Sequence, residues 1–249
     1  DQQGKLQAVV ETEGNAEGYE LAASIRSLKE GKSIYTTDNK ETFLYKITNS
    51  GKEHTLESNW REVQPWSTED PNLYVVKLEL KNPEGKVVQT RETRIGFRTV
   101  EFFPQDGLYL NGTKLVVKGI NRHSFSVDGG RTTSAAMSRQ DALLVKEMNM
   151  NAVRSHYPPD EHFLDMCDSL GIVYIDELAG WHGKYDTKVG AKLVKEMIER
   201  DVNHPSIIIW SNGNEGGWNN NLDALFARYD KLQKRHVIHP WADFNDLDT

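Results

Sequence analysis

A single cysteine, Cys167, occurs in the chain, so no intrachain disulfide can form and the redox compartment is left open. It lies within an apolar helical stripe and reads as a buried small hydrophobe rather than a nucleophile. No apolar run approaches the roughly 20 residues that a membrane span needs, so no membrane partner is expected. There is no basic excess: the net charge is −7, which argues against a nucleic-acid partner because phosphates would go unneutralised. The first residues, Asp-Gln-Gln-Gly, include no initiator Met and no apolar signal segment. That start reads as a processed protein or an excised piece. The compartment stays undetermined, with a periplasmic or secreted location compatible. What is present suits a neutral sugar, which asks for hydrogen bonds and aromatic faces: the chain holds 6 Trp and 9 Tyr, most of them expected in cores.

The 249 residues fall into two halves with different periods. Up to about residue 100, alternating or β-rich stretches predict strands at 6–12, 20–26, 42–47, 54–60, 73–80 and 87–97. Asn49-Ser50-Gly51-Lys52 and Asn82-Pro83-Glu84-Gly85-Lys86 predict hairpin turns between them. Six or seven strands in about 100 residues are the signature of an immunoglobulin-like sandwich.

After Phe103-Pro104 strands and helices alternate. Apolar strands are predicted at 115–120, 152–154, 172–175 and 207–210, with Val237-Ile238 opening a fifth. Between them lie a helix opened by Ser138 with Asp141 as its capping box, and a helix from Pro159 that stops at Gly171. A third helix covers 188–202, and a fourth carries Leu222, Leu225, Phe226, Tyr229 and Leu232 on one stripe. Apolar parallel strands covered by helices demand an α/β arrangement. Polar residues end strand after strand: Asn121-Arg122-His123, Arg154-Ser155-His156, Asp176-Glu177 and Asn214-Glu215. That fits a (β/α)8 barrel better than a doubly wound sheet, which gathers its chemistry at one switch point. Only four or five of eight units are present. The expected fold is therefore multidomain: an all-β immunoglobulin-like sandwich over 1–103, then an incomplete (β/α)8 TIM barrel over 104–249.

Glu215 follows a buried-type strand and stands in Asn212-Gly213-Asn214-Glu215-Gly216-Gly217. At a barrel mouth, half shielded, its carboxyl would be raised by desolvation and could protonate a leaving-group oxygen. The competing reading is a surface Glu in a Gly-rich turn, and spacing alone leaves both open. His123 and His156 follow strands at equivalent positions, each singly more often structural than catalytic, with Arg122 and Arg154 beside them. An arginine next to a carboxylate keeps it ionised. Asp176-Glu177 could act as a carboxylate pair. Glu177 with His182 makes a loose metal-like spacing lacking an obvious third ligand, so a structural or substrate-contact role is favoured. Trp181 could stack on a sugar ring or pack as a cap. His204-Pro205 is read structurally.

Asn151-Ala152-Val153-Arg154-Ser155-His156-Tyr157-Pro158 resembles one signature of glycoside hydrolase family 2, and the run from Asp201 to Glu215 resembles another. The stretches Pro65–Tyr74 and Gly119-Ile120-Asn121-Arg122-His123 agree, so ordered matches extend from about residue 60 to residue 215. The resemblance implies a retaining hydrolase of β-glycosides, in which two carboxyl groups about 5 Å apart serve as acid/base and nucleophile. It implies Glu215 as the catalytic acid/base and Asn214 as a sugar contact near the 2-hydroxyl. It further implies Arg154 beside the nucleophile, and His156 and His123 as sugar contacts; Trp181, from its place in the loop, is added as a candidate substrate contact. No cofactor is implied.

The chain also departs from the family pattern. The family nucleophile is a Glu on the seventh strand, whereas Thr249 is expected near the fifth, and no counterpart of the family's N-terminal sugar-binding-like domain is expected within these residues. Ser124 stands where the Asn-Arg-His motif is often followed by Glu. The loop 178–183 lacks the carboxylate that some β-galactosidases supply to magnesium, so no metal is expected. The reading is a piece of a β-galactosidase-like enzyme lacking its nucleophile and inactive alone. The alternatives are a β-glucuronidase or β-mannosidase, or a non-catalytic carbohydrate-binding or scaffold protein. Open barrel edges predict a homo-oligomer.

Overall fold

The structure is a computed structural model that describes residues 3–240. The chain divides into two compact units: residues up to Trp66 with Asn72–Arg98, and Ser67–Pro71 with the chain from Thr99 onward.

The first unit holds β1 (Gln3–Glu11), β2 (Glu20–Ser27), β3 (Ser33–Ile34), β4 (Thr42–Lys46), β5 (Glu53–Arg61), β6 (Tyr74–Lys81) and β7 (Val87–Ile95). One sheet runs β3-β2-β6-β7 with β4 also on β2, and the other pairs β1 with β5, all antiparallel. The period-2 pattern of β5 is complete: His54, Leu56, Ser58 and Trp60 are buried while the residues between them are exposed. The inward residues of both sheets meet in two clusters, one around Ile25, Trp60 and Tyr74 and one around Leu21, Ile47 and Leu56. Burying each such side chain contributes about 1.5–3 kcal/mol. The seven strands form the expected sandwich.

Asn82–Lys86 is the expected hairpin, with Asn82 N donating to Lys86 O at 2.9 Å and Gly85 at φ +80°. The turn at 49–52 is a correction: β4 pairs with β2 and β5 with β1, so this segment carries the chain from one sheet to the other. Turn residues signal a reversal, not which strand is paired next.

The second unit opens with a small antiparallel sheet that the sequence reading lacked: β8 (Val100–Phe103), β9 (Gly107–Leu110) and β10 (Thr113–Lys114). Its turns use left-handed residues, Gln105, Asn111 and Gly112. There follow β11 (Gly119–Asn121), α1 (Ala135–Glu147), β12 (Ala152–Arg154), α2 (Glu161–Leu170), β13 (Val173–Trp181), α3 (Thr187–Asp201), β14 (Ile207–Asn214), a 3-10 turn (Asn220–Leu222), α4 (Asp223–Tyr229) and β15 (Val237–Ile238). The five strands β11 to β15 are parallel and adjacent in chain order. A doubly wound sheet reverses that order; a segment of a (β/α)8 barrel keeps it.

Helices cover one face of this sheet. Val153, Tyr174, Leu178, Ile207 and Trp210 pack against Val145, Phe163, Cys167, Ile198 and Phe226. Cys167 is fully buried and burial pushes its thiol up, as its reading as a small hydrophobe requires. Three details differ from expectation. The N-cap of α1 is Ser134, which accepts from Met137 N at 3.2 Å. Ser138 is buried within the helix against His162, and Asp141 binds Arg122. The strand expected at 115–120 is confined to β11. The fourth helix ends at Tyr229 because Asp230 turns inward to accept from Trp210 Nε1 and Arg235, leaving Leu232 exposed. Among the described residues no helix is long and apolar enough to cross a membrane.

Candidate active site

The C-terminal ends of β11 to β14 deliver the candidate residues. Strand alternation decides which way each points. On β13, Tyr174 and Leu178 face the helices, so Asp176 does too, and Glu177 faces the other way, toward the concave side. Asp176 and Glu177 are therefore not a paired site.

Glu177 is the hub. Its side chain is fully buried, and its Oε2 accepts from Arg154 Nη2 at 2.5 Å, Arg154 Nε at 3.1 Å and Ser211 Oγ at 2.7 Å. Burial raises its carboxyl above the ordinary 4.5, while Ser211 and then Arg154 pull it back. Arg154, at the end of β12, also donates from Nη2 to Asn214 Oδ1 at 2.7 Å. Ser211 and Asn214 are three apart on β14, which regular alternation would put on opposite faces. Gly213, at φ +84°, breaks the alternation and turns Asn214 in beside Ser211.

His156 Nδ1 lies 3.5 Å from Glu177 Oε1. This is not a charged pair: burial lowers the His156 pKa, and the Arg154 and His123 charges lower it further against Glu215. The ring is neutral at pH 7. The His156 ring centroid is 5.0 Å from that of His123 and 5.7 Å from that of Trp181. Tyr157 completes this aromatic wall, with its hydroxyl 3.3 Å from His123 Nδ1. Trp181 ends β13 and is 39% exposed, enough ring to receive a ligand face.

Glu215 follows β14 in left-handed backbone, φ +48°, and its carboxyl is about one-third exposed. Its Oε2 faces His182 Nε2 at 3.3 Å. The glycines around it let two loops touch. A Cβ on Gly217 would meet Gly180 C at 2.6 Å and Trp181 N at 2.8 Å, so no larger residue fits without parting them.

Three buried polar atoms of this cluster have no hydrogen-bond partner: His156 Nδ1, Glu177 Oε1 and Asn214 Nδ2. They are a ring nitrogen, a carboxylate oxygen and an amide donor, and the first two face each other at 3.5 Å. The structure thus groups Arg154 with Asn214, and His123 with His156 and Trp181. Glu215 stands next to Asn214, and His182 turns to it rather than to Glu177. Two donors facing each other, with Trp181 beside them, do not make a magnesium set. Among the described residues the cluster able to gather three metal donors is Asp165, Asp168 and His204, at α2 and the start of β14. The sequence reading missed the hub role of Glu177, and Ser211 and Tyr157 altogether.

Residues 103–246 match the model of the glycosyl hydrolases family 2 TIM barrel domain, and residues 1–98 match that of glycosyl hydrolases family 2. A β-galactosidase of Priestia megaterium is 35% identical over 218 residues, covering 78% of this chain and 21% of that protein. A putative β-glucuronidase of Formosa agariphila is 38% identical over 175 residues, covering 67% of this chain and 21% of that protein. The chain thus spans about a fifth of the length of these relatives. In fold it is similar to Bifidobacterium dentium β-glucuronidase, with a TM-score of 0.81, 24% identity, and coverage of 98% of this chain and 45% of that one. The chain belongs to glycosyl hydrolases family 2.

Proposed function

We propose that this chain carries the acid/base half of a retaining β-glycosidase, with a β-galactoside as the sugar. The supporting observation is the convergence of unpartnered His156 Nδ1, Glu177 Oε1 and Asn214 Nδ2 beside Glu215. In this reading Glu215 protonates the departing glycosidic oxygen and later takes a proton from water. Asn214 Nδ2 donates to a ring hydroxyl while Arg154 fixes its Oδ1. Neutral His156, with His123 beside it, contacts further hydroxyls, and Trp181 stacks on the apolar face of the ring.

Glu177 is not the nucleophile in this reading, because its Oε2 is saturated by three donors and its side chain is buried. The described residues then supply an acid/base and no nucleophile. A β-glucuronide is the second reading, favoured by the 38% identity to a putative β-glucuronidase. The division into sandwich (1–103) and barrel segment (104–249) is proposed with its change moved to Arg98/Thr99, because β8 pairs with β9. We further propose that β11 and β15, the outer strands of the described sheet, pair between copies; a monomer in light scattering refutes this.

The functional test is an NMR titration of the chain with methyl β-galactoside, β-glucuronide and β-mannoside. The expected result is saturable shifts of the Asn214 side-chain amide and the His156 ring. No shift with any of the three would sink the proposal.

A further inference from the structure

Between β11 and α1 the chain forms a loop closed on itself. Ser126 and Gly130 exchange backbone hydrogen bonds of 2.7 and 3.0 Å, and Gly129 N donates to Ser126 Oγ at 2.9 Å. Its exit is tied to α2 by the Thr133 hydroxyl, which donates to the Asp160 carboxylate. This tethered loop presents Arg131, whose guanidinium lies 5.0 Å from the centroid of the Tyr157 ring. Tyr157 also neighbours His123 and Trp181, with centroids at 5.9 and 6.3 Å. One ring therefore joins the proposed sugar wall to a cation.

A cavity of about 180 Å³ lies there, lined by Ser124, Arg131, Tyr157, Pro158 and Asp160. At about 30 Å³ per water it has room for a ring substituent rather than a long chain. Arg131 is exposed and makes no ion pair among the described residues. Ser124 is neutral and engaged, its N–H on the Tyr157 hydroxyl at 3.0 Å and its Oγ accepting from Arg122 at 3.1 Å. Asp160 is the one acid of the cavity, and it already accepts from Thr133. A planar cation steadied by an aromatic face and outside ion-pair distance of any described acid is suited to bidentate binding of an oxyanion.

We propose that this cavity is a subsite for an anionic substituent, a sulfate ester or a carboxylate, on the glycan whose neutral part lies against His123, His156 and Trp181. The inference rests on the proposed sugar site. Asp160 opposes an anion there, and Arg131 is open to solvent, so the preference is moderate and salt-dependent. Methyl β-galactoside, its 6-sulfate and methyl β-glucuronide serve as probes in calorimetric titrations of the full chain and of Arg131→Gln. The expected result is about tenfold tighter binding of an anionic ligand than of the neutral one at low salt, roughly 1.4 kcal/mol. Whichever of the two anions is tighter identifies the substituent.

In Arg131→Gln the ratio falls to about one while the neutral ligand binds unchanged. Ser124→Glu, which places a carboxylate in the cavity, abolishes the preference as well. Equal affinity of all three ligands, or an anion preference that survives Arg131→Gln, overturns the subsite and leaves the sugar site standing. If no glycoside binds, the Arg131 Nε–H signal on adding inorganic sulfate decides: a saturable shift supports the subsite and condemns the sugar site, and no shift overturns both.

Discussion

Replacing Arg154 by Met tests the ion pair on which the candidate site is built. Met keeps much of the stem volume and removes every donor. Glu177 is then left buried with Ser211 as its remaining donor, and Asn214 Oδ1 loses its 2.7 Å bond. Removing one partner of a buried pair costs about 3–5 kcal/mol. Arg154 is 17% exposed, so some water enters and the lower end, about 3 kcal/mol, is expected. For a unit of this size that lowers the Tm by roughly 6–12 °C. The pH dependence fixes the cause. Burial already raises Glu177 above 4.5 in the folded chain, so the stability it contributes is present below 4.5 and lost as pH rises through the folded value. Arg154 is one of the groups that limit this rise. Without it the folded value climbs, and the penalty grows with pH at about 1.4 kcal/mol per unit for one proton. Urea unfolding of both proteins between pH 5 and pH 8 reads this out. A cost that does not vary with pH, or that stays under about 1 kcal/mol at pH 8, would refute the reasoning.

Gly217→Ala forces the Glu215 loop off the end of β13, since its Cβ would stand 2.6 Å from Gly180 C; a loss of about 1–3 kcal/mol in thermal unfolding is expected. The same variant should lose the sugar-induced shift of Asn214, and a wild-type titration would contradict the close-approach argument. Trp181→Ala, at a side chain 39% exposed, should weaken sugar binding about threefold to tenfold. An unchanged Kd would assign Trp181 to packing alone. The chain by itself should not hydrolyse nitrophenyl β-glycosides. Turnover by the pure protein, abolished by Glu215→Gln, would show that it holds a nucleophile.

The sequence carried the barrel rhythm because each strand is an apolar run ended by polar residues: Ile207-Ile208-Ile209-Trp210 before Asn214-Glu215 is the clearest case. It carried α2 equally well, since Gly171 stops the helix in left-handed backbone at φ +69°. Pairing was not legible. Nothing in Asn49-Ser50-Gly51-Lys52 says that β5 joins β1 rather than β4, because a register between distant strands is settled by cores, not by the turn. Glu177 was hidden for a related reason. Two adjacent acids on a strand point to opposite faces, and only packing of Tyr174 and Leu178 against the helices reveals which is which. Asn214 needed a further fact, the break in alternation at Gly213. Tyr157 lay within the Ser-His-Tyr-Pro signature, but its role depends on a distant loop and on Trp181.

The departures from ordinary folding rules separate into two kinds, and the separation bears on function. Asp176 is buried, and neither of its oxygens has a partner. Burial and then the neighbouring Asp201 raise it well above 3.8, which favours its protonated form. A proton there would meet the need of its buried oxygens. Across the sheet Glu177 is bound by Arg154, and what remain open are single atoms on three different residues. There the backbone is also unusual, with Glu215 at φ +48° and His182 at φ +55° facing each other. Left-handed non-glycine residues and unmet buried polar atoms each cost free energy. Their coincidence at the ends of β12, β13 and β14 is intelligible if a ligand satisfies the atoms and the backbone holds the carboxyl that acts on it.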